Sequence, residues 1–119
     1  MDEREMAAHV LEVVDQAAYR NSAHRVLSVR VEIGGRRHLD PLGIMRHFQQ
    51  AARNTVASGA RLVIEFLPVR RHCASCGADF LGDLRDVPCP QCRYPHTGAV
   101  SGEELRVVNI EVEPREPQA

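Results

Sequence analysis

The four cysteines of the chain, Cys73, Cys76, Cys89 and Cys92, form two Cys-x-x-Cys pairs twelve residues apart, within the stretch HCASCGADFLGDLRDVPCPQC. Two thiolates spaced this way on a tight turn aim at one point, and a second pair folding back can complete a tetrahedral shell. Four sulfur ligands select zinc, with an iron centre of the same geometry as the lesser alternative. Such a shell leaves no open position for a reactive water, so the ion would be structural. A redox pair would instead need a Cys-x-x-Cys opening a helix in a thioredoxin-like setting. Here the first pair follows PVRRH and precedes Gly77, while Pro88 and Pro90 bracket Cys89, so both pairs fall in loops. The opening MDERE is not a signal peptide, and no apolar run is long enough to span a bilayer. The expected address is the cytoplasm, where disulfides are rare.

The elements that must position these thiols read from hydrophobic periodicity. Met6, Val10, Val13, Val14 and Ala17 recur at helical spacing, with Leu11 and Ala18 widening the stripe, so residues 3 to 20 form an amphipathic helix. Asp2, with Glu5 three residues on, marks its start as in a capping box. VLSVRVEIG alternates, with Leu27, Val29, Val31 and Ile33 on one face of a half-buried strand. Asp40-Pro41 supplies an N-cap and a proline at the first helical position. From there Leu42, Met45, Phe48, Ala52 and Val56 predict a second helix to about residue 57, with Gly59 suited to end it. ARLVIEFLP and EELRVVNIEVE read as strands on either side of the cysteines.

This order predicts an α+β fold: a three-stranded sheet with two helices on one face, plus an inserted zinc-ribbon-like lobe with four cysteines. Residues 1–67 and 102–113 would form the α/β part, 68–101 the zinc lobe, and 114–119 a flexible tail. Segments below about 40 residues usually need a metal or disulfides to hold them, so the ion would organise the lobe. The strand order in the sheet is not readable from the pattern.

Composition removes several classes of function. A net charge of −1 provides no basic field for a polyanion, and two tyrosines, three phenylalanines and no tryptophan leave little to stack on bases. Neither nucleic acid nor membrane is an expected partner. No glycine-rich phosphate loop or nucleophile elbow is present, so the chain is not expected to be an enzyme.

An N-terminal helix, VRVEIG, LDP opening a helix, GARLVIE, the two cysteine pairs and the closing EELRVVNIEVE follow one another over residues 1 to 113. In that order they resemble the HypA/HybF family of hydrogenase nickel-insertion metallochaperones. The paired cysteines are shared with many zinc ribbons, whereas their position between GARLVIE and EELRVVNIEVE is far more specific. The resemblance implies structural zinc on Cys73, Cys76, Cys89 and Cys92, and transient nickel near the N-terminus, at Met1, Asp2 and Glu3. It also implies a GTPase partner, HypB, and delivery to the large subunit of a nickel-iron hydrogenase, or in some organisms to urease. Monomer and homodimer both stay open.

One departure from the family bears on nickel. Members usually begin Met-His-Glu and bind nickel through the second-position histidine, the terminal amine and neighbouring backbone nitrogens, whereas position 2 here is Asp2. A carboxylate is a harder ligand than imidazole and suits Ni(II) less well. As a helix cap, the same carboxylate stabilises by about 0.5–2 kcal/mol relative to alanine. His38, in the loop after Gly34, is the outside candidate for a replacement ligand. His9 lies too far along the first helix to share a chelate with residue 2, about 10 Å along its axis. His72 and His96 flank the cysteines as polar neighbours, and His24 and His47 carry no assigned role. Beside the nickel carrier stand two alternatives: a zinc-stabilised docking protein of the same family with altered nickel binding, and a zinc ribbon recruiting nucleic acid or a larger complex.

Overall fold

The computed structural model describes residues 2–35, 39–82, 88–101 and 104–114. Helix α1 runs Glu3–Arg20, with Asp2 as its N-cap accepting the Glu5 N–H at 2.8 Å. That bond satisfies one of the donors that a helix start leaves without a partner. Met6, Ala7, Val10, Val14 and Ala18 form its buried stripe. At the other end the Asn21 side chain donates to the Ala17 carbonyl at 2.7 Å. Strand β1, Ala23–Gly34, follows.

Val29, Val31 and Ile33 are buried on β1 as their alternation predicts, but Leu27 is 41% exposed and Val26 fully buried in its place. Burial therefore steps by three residues, from Val26 to Val29, before the alternation begins. The Val26 N–H donates to the Val56 carbonyl at 2.8 Å, which ties the start of the strand to the turns ahead of β2 and sets its phase there.

Helix α2, Pro41–Ala51, ends about six residues before the expected residue 57. The Thr55 hydroxyl donates to the Ala52 carbonyl at 2.7 Å and accepts the Ala57 N–H at 3.1 Å, and Asn54 turns into the left-handed region at φ 63. A threonine closing such a local turn competes with helical hydrogen bonding. The buried stripe is consequently Ile44, Phe48 and Ala52, while Leu42 and Val56 are 66% and 38% exposed. Gly59, at φ 75, belongs to the turns leading into β2 and does not cap the helix.

Strand β2 is Arg61–Leu67 and the last strand, β6, is Leu105–Pro114. With β1 they form a three-stranded sheet in the order β2-β1-β6, so the first strand is central. A second small sheet forms from β3, Val69–His72, β4, Asp79–Gly82, and β5, Gly98–Ala99, in the order β4-β3-β5. Both pairings are antiparallel, with Arg71 opposite Phe80 and Ala99.

The chain divides into two compact units. One comprises Met1–Val31, Leu39–Glu65 and Arg106–Ala119; the other comprises Glu32–His38 and Phe66–Leu105. In the first, α1 and α2 pack on each other, and Met6, Val10, Val14, Val26, Val29, Ile44 and Phe48 form its core. The second holds the small sheet and all four cysteines. Among the described residues no helix is long and apolar enough to cross a membrane.

Candidate metal centre

Each cysteine pair sits on a turn of the same construction. In the first, the Gly77 N–H donates to the Cys73 carbonyl at 2.7 Å and the Cys73 N–H to the Ala78 carbonyl at 2.9 Å. In the second, the Arg93 N–H donates to the Cys89 carbonyl at 2.8 Å and the Cys89 N–H to the Tyr94 carbonyl at 2.9 Å. The residue just after each pair is left-handed: Gly77 at φ 80 and Arg93 at φ 61. The two turns are thus repeats of one knuckle, with glycine in one and a strained arginine in the other. Burial repeats too, since Cys73 and Cys89 are buried and Cys76 and Cys92 exposed.

The four sulfurs lie within 4.8 Å of one another. Across the knuckles, Cys73 Sγ is 3.5 Å from Cys92 Sγ, and Cys76 Sγ is 3.6 Å from Cys89 Sγ. A disulfide would need about 2.05 Å. Zinc–sulfur bonds of about 2.3 Å in a tetrahedron place sulfurs about 3.8 Å apart, near the two cross-knuckle distances and inside the 4.8 Å that spans the group, so these thiols could hold such an ion.

The thiols already differ in acidity. Backbone N–H groups of Cys92 and Gln91, with the thiols of Cys76 and Cys92, favour the Cys89 thiolate over burial and bring it down to about 6. At Cys76 the Ala78 N–H also favours the thiolate. Burial and the hydrogen bonds to the other three cysteines outweigh it and push that thiol up to about 12. N–H groups aimed at sulfur are what a thiolate ligand needs, because a metal binds the deprotonated form.

Strand β3 brings Cys73 into place. Val69, Arg71 and Cys73 alternate on its buried side, so the thiol continues the inward face of the small sheet. Arg71, only 5% exposed, donates through Nε to the Thr97 hydroxyl at 3.0 Å and through Nη2 to the Thr97 carbonyl. It thereby ties the strand entering the first knuckle to the chain leaving the second. His72 and His96 are not in the sulfur group. His72 Nδ1 is 2.8 Å from Asp79 Oδ1, and His96 packs edge-on against Tyr94.

At the start of the chain, Met1 and His38 lie outside the described residues. Asp2 and Glu3 both bind backbone N–H groups at helix starts. Asp2 caps α1, and Glu3 Oε1 accepts the N–H of Asp40, the N-cap of α2, at 3.0 Å. Asp40 in turn accepts the Leu42 N–H at 3.1 Å. That bond from the Asp40 backbone is the main reason the Glu3 carboxyl is held below the usual carboxylate range, with a smaller attraction from His47. The approach is tight, since a Cβ on Gly43 would lie 3.1 Å from Glu3 Cγ. Two helix starts and three carboxylates therefore meet near residue 2.

Sequence patterns marked Asp40 as a cap but could not show that it meets Glu3, because that contact joins residues 37 apart in the chain. Arg71 had a signal in its inward alternation with Val69 and Cys73. Arg93 had none, since arginine rarely marks a left-handed turn.

These features define a class: a small α+β protein with two helices, a three-stranded sheet and four thiols grouped closely enough to hold one metal ion. Residues 1–112 match the family described as "Hydrogenase/urease nickel incorporation, metallochaperone, hypA". The chain is 41% identical over 113 residues to the hydrogenase maturation factor HypA of Geobacter metallireducens, covering 95% of this chain and 100% of that protein. It is 33% identical over 113 residues to the HypA of Rhodopseudomonas palustris, with the same coverage of both. The solution structure of the Ni metallochaperone HypA from Helicobacter pylori superposes with a TM-score of 0.68 at 24% identity, over 97% of this chain and 100% of that one. The chain belongs to the HypA family of hydrogenase and urease nickel-incorporation metallochaperones.

Proposed function

We propose that the protein carries Ni(II) during maturation of a nickel-iron hydrogenase, with zinc held structurally by Cys73, Cys76, Cys89 and Cys92. Family membership over residues 1–112 is the observation that carries this reading. The close grouping of the four sulfurs, within 4.8 Å of one another, supports the zinc assignment. Zinc there supplies charge and a fixed geometry, and no chemistry on a substrate. The knuckles contribute the inward-facing thiols and the N–H groups that favour thiolate, and Arg71 holds their two ends together.

Nickel is cargo on this reading, taken at the N-terminus by the amine of Met1 with Asp2 and Glu3. Weak affinity suits a carrier, because an ion held too firmly could not be passed on. The receiving partners are the nickel-handling GTPase HypB and the hydrogenase large subunit, with urease as the other target enzyme, all in the cytoplasm. Nucleotide hydrolysis belongs to the partner.

A second reading, a docking protein with lost or altered nickel binding, draws on the capping bonds: Asp2 and Glu3 both already bind backbone N–H groups. Calorimetric titration of Ni(II) into zinc-loaded wild type, Asp2→His and Asp2→Ala separates the two. Measurable binding in wild type, lost in Asp2→Ala, supports the carrier. Binding only in Asp2→His supports the docking reading. Equal binding in all three places the nickel elsewhere, with His38 the next position to substitute.

A further inference from the structure

Where α1 ends, the first unit contains a cavity of about 400 Å³ lined by Asp15, Ala18, Tyr19, Ala23, Thr55 and Val56 among others. Its walls mix the apolar Ala18, Ala23 and Val56 with polar side chains. The Thr55 hydroxyl is already committed to the Ala52 carbonyl and the Ala57 N–H. The last turn of α1 is likewise occupied, since the Ala17 and Tyr19 carbonyls accept from Asn21 and Ser22.

Asp15 is the exception. Among the described residues its buried Oδ1 has no hydrogen-bond partner, and burial holds its carboxyl above the usual carboxylate range. A carboxylate with one oxygen cut off from water and from any donor carries an under-solvated charge. A cation set against its other oxygen gains more than it would at a fully hydrated carboxylate. The C-terminal pole of the α1 dipole adds to the same field. Tyr19, at the rim, is 88% exposed. Exposed tyrosines next to a recess are the side chains that protein interfaces use as anchors.

We propose that this cavity receives the side chain of a lysine or arginine from a partner protein. The cation sits on the Asp15 carboxylate, the methylene stem lies against Ala18, Ala23 and Val56, and Tyr19 packs over the partner backbone. The site lies at the opposite end of α1 from Asp2 and Glu3 and holds whether or not nickel is carried there.

The test titrates acetyl-Ala-Lys-Ala-amide into ¹⁵N-labelled, zinc-loaded full chain and follows amide shifts. Acetyl-Ala-norleucine-Ala-amide serves as the neutral stem and pentylammonium as the free amine. The expected result is a saturable millimolar Kd for the lysine peptide, with shifts confined to residues 15–23 and 55–57. The norleucine peptide and the Asp15→Asn protein should each bind about fivefold more weakly or worse, the scale of a partly exposed ion pair. Ala23→Leu, which fills the recess and keeps Asp15, should also lose binding, so the result does not rest on one variant. Equal shifts from the norleucine peptide, unchanged binding in Asp15→Asn, or binding of pentylammonium but not of the peptide would each overturn the proposal.

Discussion

Replacing Gly77 by alanine and Arg93 by glycine tests whether the knuckles set metal affinity. Gly77 is at φ 80 and nothing lies within 4 Å of a Cβ built there, so alanine meets no clash and the cost is purely conformational. Holding an L-residue left-handed costs about 1–2 kcal/mol. A more restricted unfolded chain returns about 0.4–1 kcal/mol of it. The net loss is about 1 kcal/mol. Because the cysteine unit folds with its ion, that loss appears in zinc affinity as a fall of about fivefold. Arg93→Gly reverses both terms at φ 61: relief of the strain outweighs the added chain entropy by about 1 kcal/mol, so affinity should rise by up to about fivefold. Competition with a chromogenic chelator at fixed pH measures both, and the cobalt-substituted spectrum checks that four thiolates are retained. Wild-type affinity in Gly77→Ala together with a large loss in Arg93→Gly would refute the reasoning, because it would place the constraint in the arginine side chain and not in the backbone.

Three further outcomes follow from the same contacts. Asp2→Ala removes the α1 cap and should lower urea stability by about 0.5–2 kcal/mol, whereas Asp2→Asn should lose little. The Glu3 carboxyl is held low in the folded protein, so its contribution is complete above the ordinary carboxylate range and fades as pH falls through its lowered value; Glu3→Gln should flatten that part of the acid-denaturation profile. Arg71→Met leaves the Thr97 carbonyl without this donor inside the cysteine unit and should cost about 1–3 kcal/mol, seen as faster zinc release to a chelator while α1 and α2 keep their far-ultraviolet signal.

What the sequence displayed was whatever had a long period or a fixed spacing. Helix α1 begins and ends where its stripe and its Asp2 cap predict, and the cysteine spacing foretold four sulfurs around one centre. Errors arose where a local hydrogen bond overrode the pattern. Thr55 stopped α2 although Val56 continued the apolar period, and the Val56 carbonyl moved the phase of β1 from Leu27 to Val26. The small sheet went unread because its strands are four, four and two residues long, too short for alternation to register. The meeting of Glu3 with Asp40 and the cavity beneath Asp15 belong to tertiary packing, and no window of sequence contains them.

On the proposed reading, one ion held by four thiolates organises the second unit. Amide hydrogen exchange on zinc-loaded and chelator-stripped protein, both kept reduced, tests it most directly. Stripping should expose the amides of Cys73, Gly77, Cys89 and Arg93 and of the β3–β4 ladder, while α1, α2 and the centre of β1 keep their protection. Protection of the knuckle amides that persists after the metal is gone would contradict it.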